Sequence, residues 1–372
     1  MEAGNAMKIQ AAVTREKGRE FSIEEVDLAT PRDDEVIVRV VASGVCHTDL
    51  IVRDQYYPVP LPIVLGHEGS GVVERVGAQV RHVSPGDHVV LSYYFCGECR
   101  NCIVGARSYC LRLFACNFGG SRLDGSTTLS RGPEKLHSNF FSQSSWATRA
   151  LVNARNVVKV RKDVPLELFG PLGCGVQTGA GAVLNSLEAR PGSAIAVFGT
   201  GGVGLSAVMA AGIAGCLTII AVDVNESRLA LARDLGATHT LNPVTDDVVA
   251  GIQEITGGGA HYSIETTARP EVFRQAVDSL GLRGVCGLIG AAPMGTEATF
   301  DMNNILFGRT VRGIVSGDSI AETFIPQLIE FYLQGRFPLD KLVRYYNFDE
   351  VNEAARASER GEVVKAILRM PS

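Results

Sequence analysis

The chain has 372 residues, 46% of them hydrophobic and 20% charged, with a formal net charge of −5. That is enough apolar sequence for two packed domains, and no segment is low in complexity, which excludes a disordered protein. The mildly acidic balance excludes a basic nucleic-acid footprint and a polybasic membrane surface.

The first third reads as β-rich. β-branched runs stand at Ile37-Val38-Arg39-Val40-Val41, Gly71-Val72-Val73-Glu74-Arg75-Val76 and His88-Val89-Val90-Leu91. Turn residues bound them at Pro31-Arg32-Asp33-Asp34 and Ser84-Pro85-Gly86-Asp87. Residues 115–145 are polar and rich in glycine and serine, and are expected to be loop. From about residue 190 the rhythm changes to alternating units. The pattern predicts strands at Ala194–Phe198, Leu217–Asp223, His239–Leu241, Tyr262–Glu265 and Val285–Ile289. Helices are predicted at 203–214, Glu226–Leu235, Asp246–Ile255 and Pro270–Leu280. Buried strands alternating with helices indicate a doubly wound parallel sheet in an α/β fold. A helix at Ile320–Leu333 then precedes a strand-helix-strand ending, with Lys365–Arg369 its last strand.

Pro191 to Val222 carries no charge and is long enough for a membrane span. It also holds glycines at 199, 201, 202 and 204, a cluster that breaks a lipid-facing helix. A buried strand, a tight turn, a buried helix and a second strand account for the run better.

Nine cysteines are an odd number, and Met1 to Gly18 lacks a signal-peptide apolar core. Both points favour thiolates in a reducing cytoplasm over a secreted disulfide scaffold. Cys96, Cys99, Cys102 and Cys110 form C-x2-C-x2-C-x7-C, a spacing in which four thiolates can wrap one tetrahedral ion. Such a closed all-sulfur site would be structural. An iron–sulfur cluster also uses C-x2-C-x2-C, but Leu111 stands where the bacterial ferredoxin pattern has proline. A second set is scattered: Cys46 in Gly44-Val45-Cys46-His47-Thr48-Asp49, His67 in Leu65-Gly66-His67-Glu68-Gly69, and Cys174 in Pro171-Leu172-Gly173-Cys174-Gly175. Each lies at a glycine-flanked bend after an apolar run. Two thiolates and an imidazole, with water, make an open catalytic zinc site.

Phe198-Gly199-Thr200-Gly201-Gly202-Val203-Gly204 contains G-x-G-x-x-G between a predicted strand and a predicted helix. Its glycines permit the tight turn, the close approach of a pyrophosphate and the packing of helix on strand. The helix N-terminus then offers unpaired N–H groups to the phosphates. Asp223 ends the next strand, nineteen residues past Gly204. It can accept hydrogen bonds from both ribose hydroxyls and would repel a 2′-phosphate, which favours NAD over NADP. Arg228 lies close enough to touch the same ribose.

Cys46, the His67-Glu68 pair, the four-cysteine loop, Gly173-Cys174-Gly175 with Thr178-Gly179, and the glycine fingerprint follow one another in a single order. In this the chain resembles, over essentially its whole length, the zinc-dependent alcohol dehydrogenases of the medium-chain dehydrogenase/reductase superfamily. The segments Pro60–Gly71 and Gly170–Gly175 are most similar to those of the bacterial benzyl-alcohol and monoterpene-alcohol dehydrogenases. The resemblance implies a GroES-like catalytic domain with both zinc sites (residues 1–178 and 319–372) and a Rossmann NAD-binding domain (179–318). It implies one catalytic zinc on Cys46, His67 and Cys174, with Glu68 near it and able to replace water transiently. It implies one structural zinc on Cys96, Cys99, Cys102 and Cys110. Asp49 matches the aspartate that hydrogen-bonds the zinc-bound histidine, and Thr48 the hydroxyl that takes the alcohol proton. Many relatives continue the proton relay through a histidine three residues on, where this chain has Ile51. His47 is the nearest substitute, although its position usually faces the pyrophosphate. Thr178, Thr200, Gly202, Val203, Ile289 and Val315 complete the implied NAD contacts, and Tyr93, Cys116, Phe140 and Phe141 the implied pocket wall.

The resulting expectation is reversible hydride transfer between NAD and an aromatic or allylic primary alcohol. Glutathione-dependent formaldehyde dehydrogenase and general aliphatic alcohol dehydrogenase remain open as enzyme alternatives. A zinc-binding, redox-sensing interaction module remains open as the non-enzyme one. Segment 115–145 resembles the insertion of dimeric members, so a homodimer is expected, with a homotetramer as the alternative. The expected partners are apolar alcohols and aldehydes, with no nucleic acid and no membrane.

Overall fold

The computed structural model describes residues 7–371; the first six residues of the chain and Ser372 lie outside the described residues, including those parts of the expected catalytic domain. The chain divides into two units, one of Met1–Cys174, Ile320–Ile329 and Leu339–Ser372, the other of Gly175–Ser319 and Glu330–Pro338.

In the first unit the near-continuous apolar run of Glu35–Gly44 makes it a central strand of a seven-stranded sheet, buried on both faces. It pairs antiparallel with Gly69–Val76 on one side and with Arg149–Asn153 and the tail strand Lys365–Arg369 on the other. The register sets Ile367 opposite Gly44 and Arg369 opposite Ala42, so the end of the chain is built into the sheet formed by its start. A second sheet runs in the order Ile63–Val64, Met7–Thr14, Ser22–Leu28, Leu129–Arg131, Glu134–Leu136.

The last two of these strands correct the expectation of loop over 115–145. That segment also holds most of the short helix Leu113–Asn117. Each strand has only three residues, too few for alternation to show in the sequence. They form because Gly132 takes a left-handed turn and because Ser130 and Leu129 pair with Asp27 and Leu28 of the existing sheet. Leu129 and Leu136 are buried there.

The second unit is a six-stranded, wholly parallel sheet in the order His239–Leu241, Thr218–Val222, Ala194–Phe198, Ala260–Glu265, Leu280–Leu288, Thr310–Gly313. Numbered along the chain this is 3-2-1-4-5-6, the doubly wound arrangement read from the sequence. The strand order reverses at Ala194–Phe198, so the crevice for a ligand opens at its carboxyl end, where the glycine turn lies. The helix expected at Pro270–Leu280 ends at Asp278, and Leu280 opens the next strand opposite Ala260. Leu280 is fully buried, and its burial is supplied by sheet pairing rather than by another helical turn. The uncharged run 191–222 resolves into strand, helix Gly202–Ala214 and strand. Among the described residues no helix is long and apolar enough to cross a membrane.

Trp146, the chain's single tryptophan, is fully buried in one of the core clusters of the first unit. Its indole N–H donates to the Gly44 carbonyl at 3.2 Å and its ring meets Phe21 edge-on at 4.9 Å. Replacing Trp146 with Ala should destabilise this unit by about 3–5 kcal/mol. A denaturant titration followed by circular dichroism checks this; an unchanged midpoint would show that the site repacks without loss.

Candidate active site

The four sulfurs of Cys96, Cys99, Cys102 and Cys110 lie within 4.8 Å of one another. A left-handed Gly97 turns the chain between the first two, and Cys99 caps the one-turn helix Arg100–Ile103 that carries Cys102. Backbone N–H groups of Cys96 and Arg112 donate to Cys110 Sγ, and that of Leu111 donates to Cys99 Sγ, each at 3.4 Å. Such donors favour the thiolate. The Leu111 N–H heads the causes that bring the Cys99 thiol down to about 6. The Cys96–Cys102 and Cys99–Cys102 sulfur separations are 3.9 and 3.5 Å. Sulfurs bonded tetrahedrally to one zinc at ~2.3 Å would stand about 3.8 Å apart. The four residues therefore fit a single zinc ion with no open position, whereas an iron–sulfur cluster needs its sulfurs spread around a larger core.

The scattered set also converges. Cys46, His67, Glu68 and Cys174 each place a ligand atom within 4.8 Å of the others. Cys46 caps the helix His47–Arg53, His67 follows a left-handed Gly66, and Cys174 ends the turn Gly170–Gly173. Two backbone approaches fix that last turn: a Cβ on Gly170 would collide with the Glu68 carbonyl, and one on Gly173 with that of Leu91. Asp49 ties the set together. Its carboxylate accepts from the Cys46 and Gly66 N–H groups at 3.0 Å and from His67 Nδ1 at 2.9 Å. With Nδ1 turned to Asp49, Nε2 is the nitrogen that faces the sulfurs, 3.2 Å from Cys174 Sγ. The Cys174 thiol donates to Cys46, which, with the nearby His67, carries the Cys46 thiol well below its ordinary range against burial. Burial works to lower the His67 pKa, but the Asp49 and Cys46 charges raise it above its ordinary value. Two sulfurs and an imidazole leave a fourth position, and this set fits an open zinc site.

His47 is exposed on the first turn of its helix, while the half-buried Thr48 hydroxyl lies 3.7 Å from Cys46 Sγ. Phe141 stacks on the His67 ring at 4.4 Å and Phe140 meets it edge-on at 5.3 Å. Tyr93 and Cys116 pack with Cys96, Cys102 and Cys110, and the Tyr93 hydroxyl reaches Ser108 at 3.2 Å. Phe141 borders that cluster as well.

Three residues that the sequence reading missed support this site. Asn139, Phe141, Ser142 and Ser144 all have left-handed backbones. Each such residue costs of order 1–3 kcal/mol and persists only where its surroundings impose it. Gln143 imposes it by donating to the carbonyls of His67 at 2.9 Å and Ser92 at 3.2 Å, and Asn156 by donating to that of Phe141 at 2.7 Å. Lys365 is the third, with its ammonium on the Glu68 carboxylate. Only Lys365 left a trace in the sequence, as a charge directly before the apolar run Ala366-Ile367-Leu368.

In the second unit the glycine turn is built as the fingerprint requires. Gly199 is left-handed and its Cβ would meet Thr266 Oγ1 at 2.5 Å; a Cβ on Gly204 would collide with the Gly199 carbonyl. Gly201, which caps the helix Gly202–Ala214, faces open space, with nothing within 4 Å of an added Cβ. Gly202 and Val203 open the helix. Asp223 accepts from the Thr200 N–H at 2.7 Å and its hydroxyl at 2.8 Å, so the ribose candidate also folds the phosphate turn. Arg228 stands on the following helix Glu226–Asp234. Thr178 lies on the helix Gly175–Gly181, which packs on Gly202–Ala214 so closely that a Cβ on Gly179 would strike the Val203 carbonyl. Ile289 and Val315 follow the carboxyl ends of their strands.

Two families match the chain: an alcohol dehydrogenase GroES-like domain over residues 32–162 and a zinc-binding dehydrogenase over 202–334. A geraniol dehydrogenase of Castellaniella defragrans is 47% identical over 96% of this chain and 97% of its own length. The crystal structure of an alcohol dehydrogenase zinc-binding domain protein from Burkholderia ambifaria is 57% identical. It has a TM-score of 0.97 and covers 99% of this chain and 100% of its own. That of a benzyl alcohol dehydrogenase from Acinetobacter calcoaceticus is 50% identical, with a TM-score of 0.96, over 98% of this chain and 100% of its own. The chain belongs to the zinc-dependent alcohol dehydrogenases of the medium-chain dehydrogenase/reductase superfamily. It is an oxidoreductase that works with zinc and a nicotinamide dinucleotide.

A Gly201→Ala variant should fold normally, since its methyl group meets no atom of the protein, yet bind the dinucleotide at least about tenfold more weakly, a loss of ~1.4 kcal/mol. Calorimetric titration with NAD beside a thermal melt checks this; unchanged affinity would place the pyrophosphate elsewhere.

Proposed function

We propose that this enzyme reversibly oxidises an aromatic or allylic primary alcohol of the benzyl alcohol or geraniol type to its aldehyde, with NAD as hydride acceptor. The observation that carries this reading is its resemblance, over nearly the whole chain, to both a geraniol dehydrogenase and a benzyl alcohol dehydrogenase.

Cys46, His67 and Cys174 would hold the catalytic zinc and the four-cysteine loop the structural one. An ion held there would supply a Lewis acid, which would make the alcohol proton labile near neutral pH. Asp49 fixes the His67 tautomer and strengthens it as a ligand. The two thiolates of Cys46 and Cys174 balance the ion's formal charge, so the site tolerates an apolar wall. Phe141, stacked on His67 and backed by the buried Phe140, supplies that wall and suits flat or extended apolar substrates, while Tyr93 and Cys116 lie behind it in the cluster that Phe141 borders. Thr48 takes the alcohol proton. Ile51 cannot carry it further, so the exposed His47 delivers it to solvent. Thr178, Gly199, Thr200, Gly201, Gly202, Val203, Gly204, Ile289 and Val315 hold the dinucleotide. Asp223 selects NAD by accepting from the ribose hydroxyls, with Arg228 beside it. The unit with the two cysteine groups is the catalytic domain, and the unit with the glycine turn is the NAD-binding domain.

The exposed residues of the edge strand Thr310–Gly313, with exposed Leu306 and Phe307 nearby, support a homodimer. Nine free cysteines support a reducing, cytoplasmic setting.

A substrate panel with both nicotinamide cofactors tests the reading. Benzyl alcohol and geraniol should exceed ethanol in kcat/KM with NAD; a clear preference for ethanol, a polyol or NADP would overturn it. His47→Gln should shift the pH profile of benzyl alcohol oxidation, and an unchanged profile would remove His47 from the proton path.

A further inference from the structure

Glu68 is completely buried, and its carboxylate belongs to the same group of ligand atoms as Cys46, His67 and Cys174. It is also held from the other side. Lys365 Nζ donates to both of its oxygens, at 2.9 and 2.8 Å, and to the Val45 carbonyl at 3.3 Å. Those three acceptors match the three N–H donors of an ammonium group. The pair is sealed, with side chains 7% and 0% exposed. The backbone is shaped around it: a Cβ on Gly44 would collide with Glu68 Oε2. Lys365 comes from the tail strand, paired through Ile367 to Gly44 itself.

A buried carboxylate this close to a divalent ion is strongly drawn to it, because the surroundings screen the attraction poorly. Carboxylate oxygens are ordinary zinc ligands, and a fourth protein ligand would close the site as the four-cysteine loop is closed. The thiolates of Cys46 and Cys174 already balance the ion, and the Asp49 charge is met by three N–H donors. Glu68 is the remaining negative charge, and Lys365 is the cation set directly against it. We propose that Lys365 is a positioning residue that holds the Glu68 carboxylate off the catalytic metal and so keeps the fourth coordination position open for the alcohol. Lys365 acts through Glu68 and touches neither substrate nor cofactor. This inference rests on the assignment of the metal to Cys46, His67 and Cys174.

The test uses the full-length enzyme with zinc, and with cobalt in the catalytic site as a spectroscopic probe. In Lys365→Met, Glu68 is released toward the ion. The catalytic metal should then leave to a chelator more slowly, by about tenfold or more. The cobalt spectrum should no longer respond to an unreactive alcohol such as trifluoroethanol, and kcat/KM should fall. Lys365→Met combined with Glu68→Gln removes both charges and should restore the release rate and the spectral response. Lys365→Arg should retain both. Should Lys365→Met not fold, Lys365→Gln, which keeps a donor to Glu68 without the charge, carries the same expected directions. Unchanged or faster metal release in the single variant, or no recovery in the double variant, would overturn the proposal and leave Lys365 a purely structural role. Metal analysis tests the underlying assignment separately. The unaltered enzyme should hold two zinc ions per chain and Cys46→Ser one; any other result removes the assignment rather than the role of Lys365.

Discussion

The candidate active site depends on one buried carboxylate. Asp49 has no access to water, so its charge survives only if the protein supplies the donors that water would. It takes them from the Cys46 N–H, the Gly66 N–H and the His67 ring, which sit on two turns far apart in the sequence. Satisfying Asp49 therefore brings Cys46 and His67 together and fixes which imidazole nitrogen faces inward. Helix capping and ligand orientation are a single interaction here: the same carboxylate closes the capping box of the helix His47–Arg53.

Around that anchor the protein concentrates strain and close backbone contact. Four left-handed residues between Asn139 and Ser144 hold Phe141 against His67 under the grip of Gln143 and Asn156. Gly170 and Gly173 bring the Cys174 turn against the Glu68 and Leu91 carbonyls at distances no side chain would allow. Locally costly conformations are tolerated where the carbonyls they bury accept from the side-chain amides of Gln143 and Asn156. The glycine turn of the second unit uses the same logic: Gly199 and Gly204 permit contact, Gly201 leaves room, and Asp223 locks the turn through Thr200.

Much of this was legible in the chain itself. The C-x2-C-x2-C-x7-C spacing confines four sulfurs to a loop so short that the covalent chain sets their separation. The glycine fingerprint is equally local, since a turn between a strand and a helix needs those glycines wherever it occurs. The βα alternation from residue 190 onward follows from periodicity and buried length, and the sheet it implied is parallel throughout. The hairpin Leu129–Arg131 with Glu134–Leu136 was not legible, because three-residue strands carry no period and form only on an existing sheet edge.

By itself, then, the sequence determined the sulfur loop and the glycine turn, whose geometry is closed within a few residues of chain, and the alternation of strands and helices that makes a parallel sheet. Tertiary structure alone decided which distant groups meet. Lys365 reaches Glu68 across 297 positions, and Gln143 reaches the His67 carbonyl across 76. Such pairs depend on strand order and register, which hydropathy constrains only by face and never by partner. The candidate open metal site belongs to that second kind. Cys46, His67 and Cys174 were recognisable by resemblance, but the carboxylates that orient and surround them are set by how the sheet of the first unit closes on the chain's own tail.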